Sequence, residues 1–389
     1  SQKETESEKQ SESQKETESE KQSESQKESE SEKETETNPG GENLPAERST
    51  VLSSVRNYLL TKDANPDFSS IWNVIGLQRS GLYVPWSYTA TFYQNVYAYC
   101  EQKNWKLTRT KYSDYSKLIM ALTSIGIDAQ NVGGHNLFDY LSDYENVRMQ
   151  GINGPIWALI ALDSGDYEVP EDAYQSREEI LAELLKAQES DGGFSLSAGS
   201  GQMDVDITAM ALTALAPYYE ENSEAKAAAD LALSWISEHQ ESDGGFCSSM
   251  DTGTESSESC AQVLTALCSL GIDPQSDSRF IKNGNTVLDN LMSFRQEDGG
   301  FVHAYVYDAS NPASIPDESD FLAGGQAAYA LTAFCRYKNN MKNLFNLRPE
   351  KASLLSKNGS AMPVMVIAVV IAVIAAAVVL MLKRRNKKE

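Results

Sequence analysis

Histidine and cysteine are scarce in this 389-residue chain, with three of the first and five of the second. His135, His239 and His303 are scattered. Cys100, Cys247, Cys260, Cys268 and Cys335 show neither metal-ligand spacing nor the density of a disulfide framework. Cys260 and Cys268 stand at helical spacing among apolar residues, which reads as buried thiols. Positive charge is also in deficit: 33 Lys and Arg face 56 Asp and Glu, a net charge of −23. A surface this acidic repels nucleic acid, so no nucleic-acid partner is expected.

The first 37 residues lack apolar side chains altogether and use almost only Ser, Gln, Lys, Glu and Thr. "SQKETESEKQSE" at 1–12 recurs letter for letter at 13–24. With nothing to bury, such a segment cannot offset its chain entropy. Residues 1–46 are therefore expected to be a disordered, low-complexity stalk. The opposite end lacks charge: "MPVMVIAVVIAVIAAAVVLML", 362–382, holds 21 residues without an ionisable group. As a helix it would span about 31 Å, a bilayer core. "KRRNKKE" at 383–389 follows, a basic stop that stays cytoplasmic. These features predict a single-pass cell-membrane protein, with everything before Met362 outside the cell and a cytoplasmic basic tail. A secretion signal is not visible, which reads as a mature form or a fragment. The charge divides as −7 on residues 1–37 and +4 on 383–389, leaving −20 between them.

Between the ends the chain repeats itself. "QESDGGF" occupies Gln188–Phe194 and Gln240–Phe246, and "RQEDGGF" runs from Arg295 to Phe301. Each is preceded by an amphipathic stretch and followed, after a polar loop, by a more apolar one. "KLIMALTSIGIDAQ" at 117–130 matches "QVLTALCSLGIDPQ" at 262–275. A helix with one oily stripe alternates with a helix oily nearly all round, an outer and an inner helix. Outer helices are expected near 48–61, 88–102, 136–146, 174–188, 223–240 and 283–295. Inner ones are expected near 68–79, 114–125, 154–163, 206–218, 258–270 and 323–337. Six stacked hairpins can curve round and close, which removes exposed apolar ends. The Asp-Gly-Gly-aromatic loops read as turns in this arrangement. Asp191, Asp243 and Asp298 start the reversal, and Gly192, Gly193, Gly244, Gly245, Gly299 and Gly300 adopt positive φ at little cost. Phe194, Phe246 and Phe301 pack back, while Gln188, Gln240 and Gln296 serve orphan amides at the next helix start.

These loops, set between outer and inner helices, resemble the repeats of the terpenoid cyclase and protein prenyltransferase superfamily, over roughly residues 47–338. The resemblance implies an all-α fold, an (α/α)6 toroid; a linker at 339–361 is then expected before the membrane helix. In that family an Asp-x-Asp-Asp-Thr-Ala motif supplies the acid of the cyclases. "DVDITAM" places Asp204 at its first acid, Asp206 at the general acid and Thr208 at the Thr, but Ile207 replaces the last Asp. The zinc enzymes imply a converging Asp, Cys and His. "DFLAGG" offers Asp320 without a histidine, Cys260 is the plausible thiolate, and His303 reads as a surface residue. Zinc is therefore not expected, and no metal or other cofactor is predicted. The Gly-Cys-Gly-Glu-Gln string of thioester relatives is absent.

The expected function is a surface-displayed toroid that binds an unknown extracellular ligand or protein without catalysis. A cyclase or prenyltransferase-type enzyme using Asp206 as acid is the first alternative. A cobalamin-carrier-like binding protein is the second. Long loops after the Gly-Gly turns should gather at one end of the ring. Trp157, Asp204, Asp206, Glu258, Tyr305, Tyr307 and Asp320 are the candidates to line that mouth. Helix capping by Asp206, Asn153 and Glu258 is the competing reading.

Overall fold

The computed structural model describes residues 46–170, 173, 175–248, 254–307 and 315–348. The expected stalk, the apolar run at 362–382 and the basic tail lie outside the described residues, as does most of the expected linker. Among the described residues no helix is long and apolar enough to cross a membrane.

Twelve α-helices occur among the described residues: α1 Ala46–Lys62, α2 Ile71–Arg79, α3 Trp86–Gln102, α4 Ser113–Ser124, α5 Tyr144–Val147, α6 Asn153–Gly165, α7 Arg177–Lys186, α8 Val205–Leu215, α9 Ser223–Glu238, α10 Ser257–Ser269, α11 Val287–Ser293 and α12 Phe321–Lys338. The even-numbered helices are inner. Each packs on the next, from α2 through α4, α6, α8 and α10 to α12, and α12 packs on α2, so the ring closes. The odd-numbered helices form the outer layer, with α1 against α12, α7 against α6, α9 against α8 and α11 against α10. Side-chain patterning explains the division. In α10 every residue from Ser257 to Cys268 is buried. In α9 burial follows one stripe, Ala225, Ala228, Ala229, Ala232, Leu233 and Ile236, with Trp235 beside it. A helix covered all round belongs inside a second layer; a striped helix belongs outside.

Two outer helices depart from expectation. The segment 136–146 was expected as one helix but forms a 3-10 helix, Leu137–Leu141, followed by the single-turn α5. Asn136 accepts from the Phe138 amide and Asp143 from the Asn146 amide. Such local side-chain bonds compete with a continuous helical ladder. The segment expected as helix from 283 opens instead with a hairpin, β1 Ile281–Lys282 and β2 Asn285–Thr286. Asn283 and Gly284 turn it with φ of 51° and 87°, the positive values that a two-residue hairpin turn demands. A capping box between Thr286 and Asp289 then starts α11.

The repeated loops are joints between hairpins. Of the loop glycines expected at positive φ, Gly192, Gly244 and Gly299 have φ of 97°, 91° and 88°, whereas Gly193, Gly245 and Gly300 do not adopt it and are instead crowded by neighbouring side chains. A Cβ on Gly192 would stand 2.7 Å from the Leu231 carbonyl oxygen, on Gly244 2.5 Å from that of Thr286, and on Gly299 2.6 Å from Ser54 Oγ. Leu231 belongs to α9, Thr286 caps α11 and Ser54 belongs to α1. Each loop therefore seats against the next outer helix, and the third seats the last repeat on the first. The phenylalanines Phe194, Phe246 and Phe301 are fully buried behind them. The expected service of the glutamines to orphan amides is corrected. Gln188 Nε2 donates to the carbonyls of Gly192 and Ala228, and Gln240 Nε2 to those of Gly244 and Phe280. Gln296 is not their equivalent, because Arg295 occupies that place and its Nη2 donates to Ser54 Oγ at 3.0 Å.

The toroid also extends past its expected end at 338. Residues 341–348 cross the ring where the inner helices finish, with Leu344 and Phe345 buried. Arg79 donates to the carbonyls of Asn343, Leu344 and Asn346, and the Leu347 amide to that of Ser164. Arg336 donates to the Lys342 and Arg79 carbonyls. Arg336 thus caps the last carbonyl of α2, which has no partner within the helix, while the other four bonds hold the closing segment in place. This end of the ring is closed.

Candidate functional site

The N-terminal ends of the inner helices face the other way, and here most of the sequence candidates gather. Asp204 is a helix cap. Its Oδ1 accepts from the amides of Asp206 and Ile207 at 2.9 and 3.1 Å, and Ser248 Oγ donates to its Oδ2 at 2.7 Å. Asp320 caps α12 likewise, accepting from the amides of Leu322 and Ala323. Ser256 caps α10, accepting from the Ser259 amide. Capping by Asp206, Asn153 and Glu258 is thereby corrected, because the cap lies two residues earlier in α8 and α10. In α6 the residue before the helix, Ile152, makes no side-chain cap. The caps release Asp206 and Glu258 to the second position of their helices, where a carboxylate meets the positive end of the helix dipole.

Asp206 is half-buried. It stands close enough to Tyr329 of α12 and Cys260 of α10 for its charge to push both of their pKa values up, in addition to the dominant effect of burial. Glu258 is buried; Ser257 Oγ donates to its Oε2 at 3.0 Å, and His303 Nδ1 lies 2.9 Å from the same oxygen. The expectation of a surface His303 is overturned, since the ring is 4% exposed. The backbone explains why: the Ser257 amide donates to the His303 carbonyl, drawing the loop after the third joint beneath the start of α10.

Below the carboxylates the ring is floored by aromatics. Trp157 is nearly fully buried and its ring centroid lies 5.0 Å from that of Trp72. Trp72 lies 5.4 Å from Tyr329. Phe345, from the closing segment, touches Trp157 and Tyr329 at 6.0 and 6.3 Å from beneath. Lys117 of α4 holds its ammonium 5.5 Å from the Trp72 centroid and 5.7 Å from that of Trp157, a cation shared by two indole faces. Burial lowers the Lys117 pKa, opposed by the nearby Asp114 carboxylate. Gln262 Nε2 donates to Gln326 Oε1 at 3.0 Å, and Tyr329 Oη donates to the same oxygen at 3.0 Å.

Sequence reasoning missed Trp72, Lys117, Gln262, Gln326 and Tyr329. A signal for them exists. "WNVIGL" from Trp72, "KLIMAL" from Lys117, "WALIAL" from Trp157, "MALTAL" from Met210, "QVLTAL" from Gln262 and "QAAYAL" from Gln326 are the same hexad, one per inner helix. Its first residue is Trp72, Lys117, Trp157, Gln262 or Gln326 in five of the six, the side chains that meet across the ring. The two remaining candidates do not join the site. Tyr305 stacks on Phe294 with centroids 5.4 Å apart and donates to the Ser293 carbonyl at the end of α11, in the outer layer. Tyr307 is 60% exposed. Among the described residues no group of three or more His, Cys, Asp or Glu side chains could hold a metal ion.

Comparison with known proteins agrees with this geometry. The sequence model of the prenyltransferase alpha-alpha toroid domain matches residues 136–310. No curated protein sequence matches the chain. Among solved structures, the unsaturated glucuronyl hydrolase of Bacillus sp. GL1, responsible for the degradation of glycosaminoglycan, is 14% identical with a TM-score of 0.51, over 78% of this chain and 98% of that one. A UGL variant with dGlcA-Glc-Rha-Glc is 12% identical with a TM-score of 0.54, over 78% of this chain and all of that one. A polysaccharide lyase is 13% identical with a TM-score of 0.50, over 76% and 98%. At such identities it is the fold that is shared, and that fold is an alpha-alpha toroid.

Proposed function

We propose that this chain displays a toroid at a cell surface and that the end of the ring where the inner helices begin binds a neutral saccharide. The observation that carries the reading is the aromatic floor of Trp72, Trp157 and Tyr329 beneath a rim of Asp206, Glu258, Gln262 and Gln326. Trp72 is the half-buried member of the floor, with Trp157 and Tyr329 buried behind it. Sugar rings present C–H faces to aromatic rings and hydroxyls to carboxylates and amides, so Trp72 with this rim suits them. Structural neighbours that act on saccharides share the fold, which makes the ligand class reasonable without naming it. Charge refines the choice. Asp114, Asp206 and Glu258 outnumber the one Lys117 ammonium, so a uronate is disfavoured relative to a neutral sugar. An isoprenoid chain fits less well, because Phe345, Trp157 and Tyr329 fill the middle of the ring where it would lie. Display at the surface rests on the apolar run at 362–382 and its basic stop.

Calorimetry of the full chain against neutral and uronate-bearing oligosaccharides tests the reading. Saturable binding of a neutral sugar, weakened about tenfold by Asp206→Asn, is expected. Tighter binding of the uronate, or no saturable heat with either set, would falsify it.

A further inference from the structure

A cavity of about 430 Å³ lies at the closed end, between the last turns of α6, α8 and α10 and the segment 343–348. Its chemistry is one-sided. Ser164, Thr213 and Ser269 line it, and each hydroxyl already donates to a carbonyl of its own helix, at Ala161, Ala209 and Thr265. A hydroxyl has one proton to give, so these three offer the cavity lone pairs only. Asn346 Oδ1 is buried there without a hydrogen-bond partner. Glu221 adds a carboxylate, while those of Asp163 and Asp166 are held by Arg177 and Arg348 and Tyr218 Oη donates to Asp163 Oδ2 at 2.8 Å. The C-terminal ends of three helices contribute further negative partial charge.

The two guanidinium groups in the wall are engaged. Arg177 Nε donates to Asp163 Oδ1 at 2.8 Å and its Nη2 to the carbonyls of Leu162 and Tyr167. Arg348 pairs with Asp166 at 2.9 Å. The opposite half of the same end shows what such an environment takes. There Arg336 donates to the last carbonyl of α2, and Arg79 and Arg336 together donate to four carbonyls of the closing segment. On the α6, α8 and α10 side the acceptors face a cavity, with the Tyr218 and Phe345 rings as part of its wall.

We propose that this cavity is a second ligand site, distinct from the mouth, and that it takes a small organic amine cation such as a primary diamine. An ammonium carries three donors and no acceptor, which matches a wall of lone pairs, and its methylene stem suits the aromatic and Ile160 surfaces.

Calorimetry of the full chain with putrescine, and with 1,4-butanediol as a probe of equal length without charge, tests the site. Saturable putrescine binding is expected, with the diol at least about tenfold weaker. Glu221→Gln and Thr213→Val should each weaken putrescine several-fold, while Asp206→Asn at the mouth leaves it unchanged. Thermal midpoints establish that each variant is folded. The proposal is overturned by diol binding as tight as diamine binding, or by putrescine affinity that falls in Asp206→Asn but holds in the two cavity variants. Putrescine giving no saturable heat at about 10 mM, a concentration above any useful cavity affinity, overturns it as well.

Discussion

Substituting alanine for Gly244 measures what the repeated loop is for. Two costs arise, and they can be separated. The first is conformational: an L-residue held at φ of 91° loses about 1–2 kcal/mol relative to glycine. The second is steric. The new Cβ would stand 2.5 Å from the Thr286 carbonyl oxygen and 3.1 Å from its amide nitrogen, both backbone atoms that the capping box of α11 holds in place. Relieving that contact moves one outer helix from its neighbour, which costs about 1–3 kcal/mol. Gly271 supplies the control, because its φ is 72° yet nothing lies within 4 Å of the position its Cβ would take. Gly271→Ala should therefore lose only the first cost, and Gly244→Ala about 2 kcal/mol more. Urea denaturation of the full chain, followed by far-UV circular dichroism, gives both losses from the transition midpoints. Equal losses in the two variants would mean that the loop does not seat on the next hairpin, and the reading of these repeats as joints would be abandoned.

Other substitutions test other parts of the ring. Asp204→Ala removes a cap and the bond that Ser248 Oγ donates to Oδ2, so a loss of about 2 kcal/mol is expected in the same denaturation assay. Asp206→Asn should lose less than half as much, since it does not cap the helix. Phe345→Ala empties the space beneath Trp157 and Tyr329 and should cost about 3–5 kcal/mol. Stability should also depend on pH through Glu255. Burial first, then the Asp243 carboxylate, raises its carboxyl to about 7, so the fold favours the protonated form. That contribution is complete below the ordinary glutamate range and is lost as pH rises through about 7. Because the group is half-exposed, about 1 kcal/mol is expected to disappear between pH 5 and pH 8. The Glu255→Gln variant should show that much less pH dependence in its denaturation midpoint.

The ring was legible because its two layers bury different fractions of each helix, and burial writes directly into hydrophobic periodicity. All six inner helices and four of the six outer ones lie where that periodicity puts them. The two departures are places where short-range polar bonds decide the backbone: Asn136 and Asp143 divide one outer segment, and Asn283-Gly284 folds the start of another into a hairpin. The closing segment escaped because its binding is long-range. Asn343, Leu344 and Asn346 are held through their carbonyls by Arg79, some 265 residues away, and a carbonyl leaves no mark on the sequence. At the mouth, Asp206, Glu258 and Trp157 were legible from motif and helix register. Lys117 and Trp72 were not, since an inward-facing lysine looks like an ordinary solvated one until it is aligned with the tryptophan of the next inner helix. Tyr305 and Tyr307 were placed by loop membership alone, and the loop carries Tyr305 onto Phe294 in the outer layer.

The two ends of the ring differ for one reason. All six inner helices run in the same direction, so their peptide dipoles add instead of cancelling in pairs as they do in an up-and-down bundle. At the mouth this collects amide groups, which aspartate and serine caps satisfy and which favour the carboxylates of Asp206 and Glu258. At the closed end it collects carbonyls, which the chain covers with Arg336 at the end of α2 and with the hydroxyls of Ser164, Thr213 and Ser269. Carboxylates are thus stabilised where they can accept from sugar hydroxyls, and lone pairs accumulate where a cation can be held. Reversing that assignment by side-chain substitution would mean working against six parallel dipoles, so any ligand of this toroid has to match the end at which it binds.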